Sequence, residues 1–451
     1  MYDVGRKILW EITDYCFEMK VVIMAGGKGT RIALVKSDVP KPMIEVCGKP
    51  ILERQIDNLR GCGLTDITLV IGHLGHMIRD YFGDGSKFGV KIDYFVEETP
   101  LGTAGALFKM PQLTNDFLLL CGDVMIDVDF NRFIKFHQEK NAWASLMTHP
   151  NGHPYDSSLI VTEVLPPQVL GGLPMDSHKV VRWMNKEDDR LYYKNRVNAG
   201  IEIISPILLR ETTKRLVSRY TDDSEKYDLD RDVLKPNIGL GHIYAYDTSE
   251  YIKDMGTPDR FSDVEKDVMS GVFNVRNLKY KQKAVFLDRD GTINRYVGFL
   301  TKPEQFELIE GAARFIKMIN KSGYLAIVVT NQPVIARGDC TWEELQIIHE
   351  KMETELGKYG AYIDAIYICP HHPDKGYMGE KQEYKINCSC RKPKPGLLLQ
   401  AAREMNIDLA QSYMIGDSET DLEAGRQAGC KQSIKFQGYS NLIDQAYWLD
   451  N

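Results

Sequence analysis

Two stretches of this chain carry residues whose types and spacing suit phosphate chemistry. In the first, Ala25-Gly26-Gly27-Lys28-Gly29-Thr30-Arg31 follows an apolar run at 21–24, with Pro40-Lys41-Pro42 shortly after. A glycine-rich turn directly after a strand lets backbone N–H groups approach a triphosphate, because glycine has no Cβ in the way and tolerates positive φ. Arg31 and Lys41 add neutralising charge. The spacing matches neither a P-loop nor a full GxGxxG dinucleotide motif. In the second stretch, the apolar run 284–287 ends in Asp288-Arg289-Asp290-Gly291-Thr292, a carboxylate pair suited to removing a phosphate through an aspartyl nucleophile. Thr330 and Asp417 also follow apolar runs. If those runs are parallel strands, Asp288, Thr330 and Asp417 converge at the carboxyl edge of one sheet, where open α/β sheets bind ligands.

The elements that must position these groups are legible as two series. Apolar runs at 21–24, 68–71, 92–96 and 117–121 predict strands, and 51–60 and 76–82 have helical spacing between them. This alternation predicts an α/β fold with a mostly parallel sheet. Shorter runs at 180–184, 200–204 and 242–246 predict further strands. The pattern breaks near 270–283, at Gly271 and the basic 279–283 stretch, and a second α/β series follows at 285–287, 325–329, 365–369 and 413–415. The expected domains are 19–268 and 283–451, joined by a linker at 269–282.

Composition excludes several classes. A chain of 451 residues is long for one domain. No stretch approaches the roughly 20 apolar residues of a membrane span, so no membrane partner is expected. The net charge of −7 argues against a nucleic-acid partner and for small anionic ligands held by local basic groups. Residues 1–18 show no secretory signal. The nine cysteines are mostly scattered, and only Cys369, Cys388 and Cys390 cluster. That pattern predicts a reducing cytoplasmic setting with one metal site instead of a disulfide framework.

The glycine turn with Pro40-Lys41-Pro42 resembles the sugar-1-phosphate nucleotidyltransferase family, and the likeness recurs in order. Glu98-Thr99-Pro100-Leu101-Gly102-Thr103-Ala104-Gly105 is similar to its base-binding loop, and Leu120-Cys121-Gly122-Asp123 to the strand end carrying a metal-binding aspartate. Asn198-Ala199-Gly200 and Asp254-Met255-Gly256-Thr257-Pro258 resemble its sugar-contacting and second metal-binding segments. The resemblance implies Mg²⁺ on Asp123 and Asp254, triphosphate at Gly26, Gly27, Gly29 and Thr30, and sugar phosphate at Lys186 and Asn198. A sugar phosphate would attack the α-phosphorus and pyrophosphate would leave, so catalysis is positioning and charge neutralisation. Glu97 or Glu98 can accept from guanine N1–H and its 2-amino group, which favours GTP.

The second stretch resembles the haloacid-dehalogenase-type phosphatase family, continued by Val329-Thr330-Asn331, Arg391-Lys392-Pro393 and Ile415-Gly416-Asp417, with Asp421 beyond. That implies nucleophilic attack by Asp288, proton transfer by Asp290, phosphate oxygens on Thr330 and Lys392, and substrate contacts from Asn331 and Arg391. It also implies Mg²⁺ on Asp288, Asp417 and the carbonyl of Asp290, with Asp421 either a ligand or a support. Cys369, His371, Cys388 and Cys390 offer four zinc ligands, and four protein ligands make a closed, structural site. His372 can replace His371 or face substrate. The zinc loop narrows the likeness to a subgroup holding heptose-bisphosphate and histidinol-phosphate phosphatases. Pro333-Val334 depart from the Ser-Gly of the heptose type, which leaves the substrate contacts of that loop open.

The expected architecture is therefore an N-terminal Rossmann-like nucleotidyltransferase fold with a mixed, mostly parallel sheet, plus a C-terminal haloacid-dehalogenase-like α/β domain with a small zinc loop. Fusion suggests consecutive steps. A phosphatase acting first must spare the anomeric phosphate that the transferase uses, and D-glycero-D-manno-heptose 1,7-bisphosphate fits, with GDP-heptose as product. One alternative pairs a mannose- or other hexose-1-phosphate transferase with a phosphatase of different substrate, such as histidinol phosphate. A sugar-nucleotide-binding regulator is the non-catalytic alternative, against which the intact Asp288, Asp290, Asp417, Asp123 and Asp254 argue.

Overall fold

In the run Lys20–Met24, Val21, Val22 and Ile23 are wholly buried, and a strand apolar on both faces belongs inside a sheet covered on both sides. The computed structural model, which describes residues 19–26, 39–165, 173–217, 226–444 and 446–450, places it there. This strand, β1 (Lys20–Met24), is followed by a small hairpin of β2 (Glu45–Val46) and β3 (Lys49–Pro50). Next come β4 (Asp66–Ile71), β5 (Lys91–Val96), β6 (Phe117–Cys121), β7 (Val124–Asp127), β8 (Ala144–His149) and β9 (Leu159–Leu165). The N-terminal strands end with β10 (Met175–Met184), β11 (Val197–Ile204), β12 (Ile243–Asp247) and β13 (Tyr251–Asp254). Nine of them form a mixed sheet in the order β5-β4-β1-β6-β11-β8-β12-β10-β9. β5, β4, β1 and β6 run parallel, and β11 enters antiparallel between β6 and β8. β7 and β13 pair as a separate ribbon.

The C-terminal series gives β14 (Lys283–Leu287), β15 (Tyr324–Asn331), β16 (Ala365–Cys369), β17 (Tyr413–Gly416) and β18 (Gln432–Lys435). They form an all-parallel sheet in the order β16-β15-β14-β17-β18. Two apolar clusters cover its faces, one around Val285, Leu287 and Val328, the other around Phe286, Ile327 and Met414. Alternation along each strand sends neighbouring side chains to opposite clusters.

The segment after β13 is packed, not an open tether. Arg276 donates to the carbonyls of Asn320 (3.1 Å) and Tyr324 (2.8 Å) and faces Asp364 at 3.5 Å. Leu278 N–H donates to Glu250 (2.9 Å), and Asn277 to Asp127 (2.8 Å). A second buried contact joins Arg196, beside β11, to Asp247 (3.1 Å) and across to Glu353 (3.3 Å) on the helix Trp342–Gly357. Among the described residues, no helix is long and apolar enough to cross a membrane.

Candidate active sites

Parallel register builds the C-terminal site. Leu287 lies beside Val328 and Ile415, so Asp288 just past β14 and Asp417 just past β17 emerge beside Thr330, near the end of the longer β15. Asp288 N–H donates to the Ile415 carbonyl (3.0 Å), locking the first turn past β14 to β17. Gly291, at φ +82°, leaves the gap that Asp417 enters: a Cβ there would lie 2.0 Å from its Oδ2. Asp288, Asp417 and Asp421 each offer a carboxylate oxygen within 4.8 Å of the others.

Lys392 reaches this cluster from the loop after the cysteines. Its backbone N–H donates to Asn331 Oδ1, and Asn331 Nδ2 donates back to its carbonyl, both at 3.1 Å. The ammonium, 3% exposed as a residue, meets Asp288 (2.7 Å), Asp421 (2.5 Å) and the Val329 carbonyl (2.8 Å). Burial and the neighbouring Asp421 push the Asp288 carboxyl up, and Lys392 pulls it back. Asp421 has both oxygens engaged, one by Lys392 and the other by Ser418 N–H (3.1 Å) and hydroxyl (2.5 Å).

Asp290 is set differently. Arg289 donates to both its oxygens (2.7–3.1 Å), Asn294 to Oδ1 (3.0 Å) and Gln332 to Oδ2 (2.9 Å). Burial opposes ionisation, yet Arg289 foremost among these donors holds the carboxyl below its ordinary range. Gln332 also donates to Thr330 Oγ1 (2.8 Å), so one amide orients two of the expected site residues. Arg289, Asn294 and Gln332 had no role assigned from sequence. Gln332 lies two residues past Thr330, and that spacing was the available signal.

Cys369, His371, Cys388 and Cys390 present donor atoms within 4.8 Å of one another. His371 is the histidine of this group, whereas His372 Nδ1 accepts from Asp374 N–H (3.3 Å). Arg391 donates to the His371 carbonyl (3.1 Å), tying the cluster to the loop that carries Lys392.

At the N-terminal site, Gly27, Gly29, Thr30 and Arg31 lie outside the described residues, while Gly26 is described. Met24 is in register with Cys121, and Gly122 N–H donates to the Met24 carbonyl (3.0 Å), so Asp123 sits beside the start of the glycine turn. Lys41 forms an ion pair with Asp123. Asp254 aligns with Val124 across the β7–β13 ribbon and is gripped by Arg260 (2.9 Å), with Gly256 N–H also donating (2.9 Å). Glu97, half-buried at the end of β5, comes close to Gly26: a Cβ there would lie 3.1 Å from its Oε2. Its other oxygen is buried without a hydrogen-bond partner among the described residues, and burial raises its pKa. Glu98 is exposed.

Gly102, at φ +81°, lets its loop close on residue 227, where a Cβ would meet the Tyr227 carbonyl at 2.4 Å. Asn198 donates to Glu202 (3.2 Å) and keeps its own Oδ1 buried without a partner among the described residues. Burial, then Asp230, pushes Glu202 up to about 8. Glu202, Asp230 and Arg260 were not singled out from sequence. Lys186 stands at the rim, its side chain 60% exposed and 3.8 Å from Glu187.

These arrangements put one candidate phosphoryl-handling site on each of the two large sheets. A nucleotidyl transferase family model matches residues 20–270, and a HAD-hydrolase-like model matches 389–434. The D-glycero-beta-D-manno-heptose-1,7-bisphosphate 7-phosphatase of Haemophilus ducreyi is 44% identical over 154 residues, 34% of this chain and 82% of that protein. The Escherichia coli K12 enzyme of the same name is 43% identical over 141 residues, 31% of this chain and 72% of that one. HddC from Yersinia pseudotuberculosis, solved with GMP-PN, is 24% identical, covering 56% of this chain and 100% of that one, with a TM-score of 0.44. The chain belongs to the nucleotidyl transferase family, and its C-terminal part belongs to the family of those bisphosphate phosphatases. It is a bifunctional enzyme.

Proposed function

We propose that the C-terminal domain removes the 7-phosphate of D-glycero-D-manno-heptose 1,7-bisphosphate, and that the N-terminal domain then couples heptose 1-phosphate to GTP. The products are phosphate, pyrophosphate and GDP-heptose. One observation carries this: a phosphatase 44% identical to enzymes named for leaving the 1-phosphate in place is joined to a nucleotidyl transferase.

Asp288 is the nucleophile, attacking phosphorus to give an aspartyl-phosphate while the sugar alkoxide departs. Asp290, held ionised by Arg289 in the resting site, must first take up a proton from solvent; it then supplies the alkoxide with that proton and later takes one from the attacking water. Lys392 and Thr330 hold phosphate oxygens, and Asn331 and Arg391 line the approach. Asp421, both oxygens engaged by Lys392 and Ser418, supports the set, which leaves Asp288, Asp417 and the Asp290 carbonyl to hold Mg²⁺. Magnesium there lets a carboxylate approach an anionic phosphate.

At the other site Gly26 and the rest of its turn, with Arg31 and Lys41, receive the triphosphate. Glu97, with one oxygen unpartnered among the described residues, is the acceptor for guanine in preference to the exposed Glu98. Asn198 and Lys186 meet the sugar phosphate, whose oxygen attacks the α-phosphorus. Asp123 and Asp254, hard oxygen donors at the end of one ribbon, would hold a second Mg²⁺ together with substrate phosphates on exchanging their present cations, Lys41 and Arg260. Three thiols and an imidazole suit Zn²⁺ in a closed site that holds the Lys392 loop.

A coupled assay tests the pairing. With the bisphosphate and GTP, phosphate release should precede pyrophosphate and GDP-heptose should accumulate. Pyrophosphate with mannose 1-phosphate but never with heptose 1-phosphate would sink the sugar assignment, and equal use of UTP would sink the base.

A further inference from the structure

Asp290 is oriented mainly by Arg289, and Arg289 is itself anchored from a distant part of the chain. The Arg289 side chain is wholly buried. Its Nε and Nη2 face Asp290, while Nη1 donates to His349 Nε2 at 3.0 Å. His349, 6% exposed, lies on the helix Trp342–Gly357. With Nε2 accepting, its proton belongs on Nδ1. Burial, then the charge of Arg289, lowers its pKa to about 3, so the ring stays neutral and able to accept. A guanidinium is planar, so fixing Nη1 also fixes the directions of Nε and Nη2.

The helix is pinned one turn further on. Glu353, four residues past His349, accepts from Arg196 (3.3 Å) and from Asn195 N–H (3.4 Å). Thr354 Oγ1 accepts from Tyr193 N–H (3.0 Å). The ring therefore sits on an element braced by both domains, and its acceptor nitrogen is aimed at Arg289.

We infer that His349, acting through Arg289, is a positioning residue for the proton transfers of the phosphatase. This rests on the assignment of Asp290 as acid and base. General acid–base catalysis contributes about 10²–10⁴-fold, and loosening the group without deleting it forfeits part of that. Losing a contact that only orients Asp290 lowers kcat and spares KM, because substrate binding does not use it.

The test uses the full-length chain with the sugar bisphosphate. His349→Leu should lower phosphatase kcat by roughly 10–100-fold with KM changed less than about twofold. His349→Gln, whose amide oxygen can accept from Arg289, should recover most of the loss. An unchanged kcat in His349→Leu, a KM rising as far as kcat falls, or a Gln variant no better than Leu each overturns the inference. Should His349→Leu fail to fold by circular dichroism, Arg289→Lys reads the same link: it keeps a charge at Asp290 but loses the planar fork. The same fall in kcat at constant KM supports the inference, and full kcat overturns it. Asp290→Asn separates the two levels. A dead Asp290→Asn with a normal His349→Leu removes only the role of His349, whereas a fully active Asp290→Asn removes the acid–base assignment beneath it.

Discussion

Both sites pair their acids with cations, but at the C-terminal site Asp288, Lys392 and Asp421 are buried and only Asp417 is open, whereas at the N-terminal site Asp123, Asp254 and Lys186 each keep more than a third of the side chain in solvent. The contrast follows from where the groups sit. Asp288 follows a central strand of a sheet covered on both faces, and Asp421 from the helix Glu419–Ala428 and Lys392 from the cysteine loop close over it. The second set is spread over one sheet edge, a ribbon and a rim. A buried set is oriented before substrate arrives and acts with less screening, while an open set is completed by the nucleotide and sugar it receives.

The sharpest way to break this comparison is to cross the two centres. Asp288→Asn should cut phosphatase kcat by at least about 10⁴-fold and leave pyrophosphate release within about twofold, and Asp123→Asn should do the reverse. Loss of both activities from either variant would show that the sites are not independent.

Next come the lysines. Lys392→Met leaves Asp288 and Asp421 buried without their cation, so it should destabilise the C-terminal domain by about 3–5 kcal/mol in urea melts and abolish phosphatase turnover. Lys186→Met should leave the melt unchanged and raise KM for the sugar phosphate about 10–100-fold, the worth of one charged hydrogen bond. Equal destabilisation by both would erase the distinction drawn from burial.

Buried carboxylates also lie outside the catalytic sets, and Glu250 sharpens the point. Burial chiefly raises its pKa to about 7, although it accepts from Leu278 N–H, Asp129 N–H and the Thr248 hydroxyl. A carboxyl raised on folding gives up its proton earlier in the unfolded chain, so stability falls as pH climbs from the unfolded value near 4.3 to about 7 and then levels off. Glu250→Gln removes that dependence. Its stability relative to wild type should rise by up to about 3 kcal/mol between pH 4 and pH 8, measured by urea melts at each pH.

The smallest effect concerns the cysteine cluster. Cys390→Ser should lower bound zinc below one per chain by elemental analysis. It should slow the phosphatase about 10–100-fold through the Lys392 loop, with the transferase unchanged.

Much of this molecule was legible from sequence because its chemistry sits where apolar runs end. β1, β6, β14, β15 and β17 are short, buried runs, and a parallel sheet gathers the residues that follow them. Cys369, Cys388 and Cys390 with a neighbouring histidine were legible from spacing, though not which of His371 and His372 joins them. Less visible were the groups that orient them. His349 lies in the helix Trp342–Gly357 among buried Leu345, Ile348 and Met352, and from sequence reads as an ordinary core position. Its partner Arg289 is 60 residues away in the chain. Glu353 is equally silent until Arg196 of the other domain is seen against it.

Local sequence thus determined the strands, the two phosphate-handling motifs and the candidate acids, since strand periodicity and turn chemistry are properties of neighbouring residues. Tertiary structure alone decided between near-equivalents: Glu97 over Glu98 at the glycine turn, His371 over His372 among the thiols, and Asp421 as the partner of Lys392 and Ser418. Adjacent residues of like chemistry differ only in the direction their side chains take. That direction is set by packing against segments far away in the chain.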